Sequence, residues 1–428
     1  MSGVAPTARE TRAILLASLL AAASSFAIMA LATRVLPAEQ NRQFLVFWAV
    51  LFGVFGVLSG IQHETTRAVA AHRSGAAGLP APAAGTRRIG VPTGTPVLAS
   101  AVPIGLGALV MIAASAPLWA PGRLPSGTVA AAAIIAVAAL LYACHAAVAG
   151  TLAGEGSWRP YARLMAAEAL LRLVATMLVA IAVMTGLLTD GAGLLALEAA
   201  AASAVLVWIV AVVATGPGRR AARMRIGIPA QALTGRRVAA MLTAACTAVL
   251  VTAYPTFIDA AAQGEDAAAV AALLFMLSLT RAPIMIPLQA LQGVAITAFV
   301  SHAGHPLRAL GPVMAKLSAL AAGAAVVAAL LGPPVLRLLN PLYVTDPLTW
   351  AGLTLAGGAV ALLTLSGTAA LAVDRHRAYA AGWLLASVVG VAALWLPLGI
   401  EARVILALVL GPGLGVALHL LLLRKPLR

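Results

Sequence analysis

The chain has 428 residues, of which 62% are hydrophobic and only 10% charged, and a formal net charge of +15. A soluble domain cannot hide that much apolar surface from water. The positive charge does not mark a nucleic-acid interface either, because it is scattered over short connections between apolar runs instead of lining one face.

Apolar runs of about twenty residues recur along the whole chain, the length an ~30 Å hydrocarbon layer asks of a helix. They predict an all-α polytopic membrane protein with about 12 transmembrane helices, near 13–33, 43–62, 96–118, 127–152, 160–187, 191–214, 238–259, 267–298, 309–338, 348–373, 378–398 and 402–423. The alternating ten-residue pattern of a membrane β-barrel is absent. Arg9 and Arg12 precede the first run, as in a signal peptide, but that run is too long and the others follow it, so it reads as a retained span.

Two connections are long. Residues 63–95 contain "SGAAGLPAPAAGTRRIG", which predicts a flexible cytoplasmic loop. Residues 215–237 carry six arginines, within "GPGRRAARMRIGIPAQALTGRR", and read as a basic cytoplasmic linker. The linker separates an N-terminal six-helix bundle, 1–214, from a C-terminal one, 238–428. An even number of spans in each half gives both the same orientation, the plan of parallel repeats. The second span of each half overruns the bilayer, reaching roughly 47 Å at 1.5 Å per residue. Pro283 and Pro287 predict a bend in the later one.

The basic residues choose the orientation. Twenty fall on the side of Arg9, Arg12, Arg67, Arg159, Arg163, the linker, Arg375 and Arg424. Five (Arg34, Arg42, Arg123, Arg337 and Arg403) fall on the other side, so both termini are expected in the cytoplasm.

Charges inside the spans are the candidate functional residues. Glu168 and Arg172 stand four residues apart on one helix face, with Arg172 about 18 Å along the span and close to the midplane. A lipid-facing charge there would cost at least ~2.5–3.5 kcal/mol, so the face is expected to look into the bundle or a wet cavity. Arg281 lies about 21 Å deep from the outer side, giving each half one midplane arginine. Guanidinium forks match phosphate oxygens, which suggests anion binding in a shared hydrated chamber. An intrahelical structural pair is the competing reading of Glu168 and Arg172. Glu198 can pair or snorkel, Lys316 can snorkel or face the cavity, and Arg34, Glu39 and Arg67 sit at membrane ends.

Signatures of chemistry are missing. No P-loop pattern occurs. "HAGH" at 302–305 lacks a clustered acid or cysteine to complete a metal site, and Cys144 and Cys246 lie far apart within spans. The first outer loop, "RVLPAEQNR", offers Glu39 alone where a polyprenyl-phosphate glycosyltransferase would show paired acids. A transporter without metal or cofactor is the expectation.

"TRVLPAEQNRQF" at 33–44 resembles the segment after the first span of polysaccharide exporters, in the multidrug/oligosaccharidyl-lipid/polysaccharide (MOP) exporter superfamily. "GVLSGIQHETTRAVAAHR" at 56–73 is similar to the end of their second span, with Gly60 and Arg67 matching. Arg281 and Pro283 in "SLTRAPIMIP" occupy the places of an arginine before a kink in their eighth span. The resemblance implies an alternating-access flippase of the bacterial cytoplasmic membrane, with two six-helix bundles around a central cavity. Its family cargo is a polyprenyl-diphosphate-linked oligosaccharide, and envelope glycosyltransferases or a polymerase are its expected partners beside membrane lipids. On that reading Arg172, Arg281, Arg34, Arg67 and Lys316 line the substrate cavity, and Glu168 and Glu198 couple transport to an ion gradient. A small-molecule exporter of the same fold and a non-transporting partner of envelope polysaccharide synthesis are the alternatives.

Overall fold

The computed structural model describes residues 7–73, 94–281, 288, 306–373 and 375–424. Helix α1 (Ala8–Val35) starts from a capping box. The Thr7 amide and hydroxyl donate to the Glu10 carboxylate at 2.9 and 2.7 Å, while the Glu10 amide reaches back to Thr7 Oγ1 at 3.4 Å. After Pro37, helix α2 (Ala38–Arg73) runs for 36 residues, the overlong second span expected from the sequence. Then come β1 (Thr95–Pro96), α3 (Val102–Trp119), α4 (Thr128–Gly154), α5 (Trp158–Met184), α6 (Asp190–Ser203), α7 (Val207–Ala214) and α8 (Gly216–Arg223). They are followed by β2 (Arg225–Ile226), α9 (Ala230–Val251), α10 (Tyr254–Ala261) and α11 (Ala267–Arg281). The chain continues with α12 (Pro306–Leu339), α13 (Pro347–Ala372), α14 (His376–Ala392) and α15 (Ile400–Arg424).

Eleven helices among the described residues are long and apolar enough to cross a membrane, and they coincide with eleven of the twelve expected spans. The protein is a multi-pass, all-α membrane protein. The eighth expected span is described as α11 as far as Arg281. Its remainder, with Pro283 and Pro287, lies outside the described residues, as do 74–93 of the Gly/Pro-rich loop and the "HAGH" segment.

Two spans differ in detail from their expected form. The run 238–259 is not one helix, because Pro255 cannot donate an amide hydrogen to Val251. Thr252 and Ala253 both donate to the Ala248 carbonyl, which ends α9, and Pro255 sits in the first turn of α10, where a missing N–H costs nothing. The run 191–214 is divided by a 3-10 turn over Ala204–Leu206.

The segment expected as a linker is folded. Thr215 caps α8 through a 3.0 Å bond from the Gly218 amide. Beyond it, β2 pairs antiparallel with β1, setting Thr95 opposite Ile226 and Pro96 opposite Arg225. Ala68 and Val69 of α2 pack with Val97, Ile226, Ile228 and Leu233 beneath this ladder. Arg237, fully buried, donates to Ser100 Oγ (2.9 Å), Thr65 Oγ1 (3.0 Å) and the Val97 carbonyl (3.1 Å).

By compactness the chain divides into two units that are not the two halves of the sequence. The first holds Met1–Ile28 and Leu51–Ala245, and the second Met29–Val50 and Cys246–Arg428. In the first, α4 lies so close to α2 that a Cβ on Gly150 would stand 2.7 Å from the Gln62 carbonyl, and one on Gly154 the same distance from that of Thr66. Small residues four apart permit this approach in a membrane bundle. In the second unit, His419 of α15 fills the space left by Gly382 of α14 and bonds Ser366 Oγ at 2.8 Å.

Candidate functional site

Besides Arg237, the described residues of each unit include one buried arginine within a span, Arg172 in the first and Arg281 in the second, and the two are treated differently. In the first unit, Arg172 on α5 is 5% exposed. Its Nη2 donates to Glu168 Oε1 at 2.5 Å and its Nε to the Ala201 carbonyl at 3.1 Å. Its guanidinium carbon stands 4.9 Å from the centre of the Phe52 ring, a cation–π distance. The (i, i+4) spacing therefore forms the expected pair, with Glu N-terminal to Arg as a helix favours.

The second oxygen of Glu168 faces His145 Nε2 of α4 at 3.4 Å. His145 is 4% exposed, and its Nδ1 finds no hydrogen-bond partner among the described residues. Its ring stacks on Tyr142, which stacks in turn on Phe55 at 4.1 Å. The result is a line of aromatic rings, imidazole, carboxylate and guanidinium in which the Glu168 side chain is 16% exposed. A carboxylate between an imidazole and a guanidinium can exchange a proton with the first while neutralising the second. Sequence reading missed His145, although a histidine in the apolar "YACHAAVAG" run carries the same signal as an acid there.

In the second unit, Arg281, the last described residue of α11, is 8% exposed. Its Nη1 donates to the Leu250 carbonyl at 2.8 Å, in the last turn of α9, where carbonyls lack helical partners. Its guanidinium carbon lies 5.7 Å from the Tyr254 ring centre. Gly357 of α13 packs beside its stem, where even an added Cβ would stand at the ordinary contact distance of 3.4 Å from Arg281 Cγ. Arg281 Nε and Nη2 have no hydrogen-bond partner among the described residues. A buried guanidinium leaves Nε and Nη2 as donors that oxygen acceptors can answer.

Glu198 of α6 is fully buried, one turn before the Ala201 carbonyl that Arg172 uses. Arg67 is held by its neighbour Glu64 through Nε at 2.7 Å and Nη2 at 2.5 Å, a bidentate (i, i+3) pair on α2. Arg34 is exposed and reaches the Leu339 carbonyl at 3.4 Å. Lys316 is exposed on α12.

Around Arg34 the second unit holds the hairpin between α1 and α2 by polar contacts that the sequence did not announce. Asn41 Nδ2 donates to Tyr343 Oη at 2.8 Å and to Thr33 Oγ1 at 3.2 Å, and Arg42 Nε pairs with Asp259 at 2.7 Å. Burial pushes the Tyr343 phenol upward, so it stays neutral as it accepts from Asn41. Among the described residues no three His, Cys, Asp or Glu side chains are grouped to hold a metal.

No protein-family model matches the chain. It is 34% identical over 414 residues to "Uncharacterized protein Rv1510" of Mycobacterium tuberculosis, covering 96% of this chain and 90% of that one. It is 32% identical over 412 residues to "Uncharacterized protein Mb3654" of Mycobacterium bovis, with the same coverage. Among solved structures, an inward-facing multidrug-resistance MATE transporter of the MOP superfamily matches 96% of this chain and 98% of its own at TM-score 0.72 and 13% identity. A MOP transporter from Pyrococcus furiosus, described as having a binding pocket of reverse polarity that suggests a different function, matches 100% of this chain and 99% of its own at TM-score 0.64 and 12% identity.

Proposed function

Because the chain belongs to the family of the mycobacterial protein Rv1510 and has the fold of MOP-superfamily transporters, we propose that it is an alternating-access flippase for a polyprenyl-diphosphate-linked glycan. It carries this precursor of the cell envelope from the inner to the outer leaflet of the bacterial cytoplasmic membrane, with both termini inside. The excess of arginine on one side of the spans supports that orientation.

The observation that carries the reading is Arg281. A positive charge 8% exposed, with two guanidinium nitrogens lacking partners among the described residues, is costly unless a ligand answers it. A diphosphate has the opposite charge and the paired oxygens that a guanidinium fork binds in bidentate fashion. Arg172 is already neutralised by Glu168, so its unit has the part of ion coupling, with Glu168 and His145 as the proton-exchanging pair. Arg67, locked to Glu64, has a structural part.

The test is flipping of a fluorescent polyprenyl-diphosphate-linked oligosaccharide in proteoliposomes. Arg281→Gln is expected to lower the rate at least about tenfold, the kinetic equivalent of ~1.4 kcal/mol. Glu168→Gln is expected to make the rate insensitive to an imposed proton gradient. An unchanged rate in Arg281→Gln sinks the reading. The MATE neighbours favour a second one, export of cationic small molecules; it predicts instead that a cationic dye is carried and that Arg281→Gln leaves its transport intact or faster.

A further inference from the structure

Beside the buried sites, the first unit has an open groove of about 550 Å³ between α1 and α5. Arg9, Arg159 and Arg163 line it together with small residues that include Ala13, Ala17 and Ala162. Arg9 and Arg159 belong to the first turns of their helices and Arg163 to the second turn of α5, on the arginine-rich side of the spans, and all three are exposed. None makes a hydrogen bond or ion pair among the described residues. The neighbouring acid is Glu10, on which Arg159 acts electrostatically, but its carboxylate is engaged by Thr7 in the capping box. From Arg9 the groove follows α1 as far as Leu20, about 16 Å at 1.5 Å per residue. It therefore has a cationic mouth at one end and an apolar, alanine-walled bed leading away from it into the membrane-spanning part of the helices.

We infer that this groove is the site where the cargo lipid rests before transport. The diphosphate sits among Arg9, Arg159 and Arg163, and the first isoprene units lie along the alanine-walled bed. The inference rests on the proposed flippase reading for the identity of the lipid. Three guanidinium groups offer bidentate partners to the several oxygens of a diphosphate, and clustered arginines at the cytoplasmic surface attract anionic headgroups. The apolar floor starts directly beneath them, where a single prenyl tail leaves its headgroup. Leu16, 60% exposed, presents part of that floor to lipid.

Equilibrium binding of polyprenyl diphosphate to the purified full-length protein in detergent tests this, with polyprenol and cardiolipin as comparison ligands. The triple variant Arg9→Gln/Arg159→Gln/Arg163→Gln is expected to lose about a hundredfold in affinity, taking the three arginines' attraction for an anionic lipid as additive. Ala13→Phe, which fills the groove at a half-buried position and keeps every charge, is expected to lose at least about tenfold with an unchanged melting temperature. Polyprenol should bind weakly to all forms. Undiminished binding in both variants overturns the groove site, and if flipping also persists in them the flippase reading stands without it. Cardiolipin displacing polyprenyl diphosphate at equal concentration overturns the inference in favour of an ordinary phospholipid site. Absence of any polyprenyl-diphosphate binding to the unmodified protein brings down the flippase reading and the groove together.

Discussion

At the scale of single residues, two arginines with almost equal burial have opposite energetic situations. Arg172 is answered by Glu168, the Ala201 carbonyl and the Phe52 ring, whereas Arg281 spends one nitrogen on the Leu250 carbonyl. Removing one member of a buried ion pair strands the other, and removing both often costs little. Glu168→Gln is accordingly expected to destabilise the protein by about 1–3 kcal/mol, less than a fully buried pair because the Glu168 side chain is 16% exposed. Arg172→Met in the same chain should recover most of that loss. Arg281→Met should leave the melting temperature unchanged or raise it, since it removes a buried charge with two nitrogens lacking partners among the described residues and keeps an apolar stem beside Tyr254. Thermal unfolding followed by tryptophan fluorescence reads all three. A melting temperature for Glu168→Gln equal to the unmodified protein's would mean that the pair does no structural work.

Among elements, close helix contacts explain a residue that the sequence flagged for another reason. Gly60 was matched to a family motif, and its position in α2 is where α9 comes nearest: a Cβ there would stand 2.4 Å from the Met241 amide nitrogen and 2.6 Å from the Ala240 carbonyl carbon. Backbone atoms cannot swing aside as a side-chain tip does, so Gly60→Ala must separate the helices, at about 1–3 kcal/mol. Gly107→Ala is the matched control, for nothing lies within 4 Å of its added methyl, and helix propensity alone should stabilise it by about 0.5–1 kcal/mol. Opposite signs in these two melting temperatures test the packing directly. The spans themselves were legible because length and apolarity are local properties of a run. The fold of residues 215–237 was not, since it depends on partners more than a hundred positions away: Arg237 reaches Thr65, Val97 and Ser100, and β2 pairs with β1 over only two residues. No periodicity announces a strand that short. The break before α10 was in principle readable from Pro255. The site was half legible by the same logic, for Glu168 and Arg172 are neighbours on one helix, while His145 joins them only through the packing of α4 on α5.

At the scale of the whole molecule, the compact units cut across the two halves suggested by counting spans. Residues 29–50 group with 246–428, and within that unit Asn41 meets Tyr343, Arg42 meets Asp259, Arg34 reaches the Leu339 carbonyl and Asn340 reaches that of Thr33. The Asp259 side chain is only 4% exposed, so the Arg42 ion pair sits where water screens little. A chain starting at residue 238 therefore lacks a part of its own unit, and with it the Arg42–Asp259 pair and the Asn41–Tyr343 bond. Expressed alone, 238–428 is expected to accumulate far less than the intact protein and to melt earlier, because the packing and polar contacts of residues 29–50 are lost. Supplying 1–237 as a separate chain should restore it, since the hairpin arrives with that fragment. A lone 238–428 fragment as abundant and as heat-resistant as the same residues within the full chain would show that the hairpin is a passenger and not a member of the second unit.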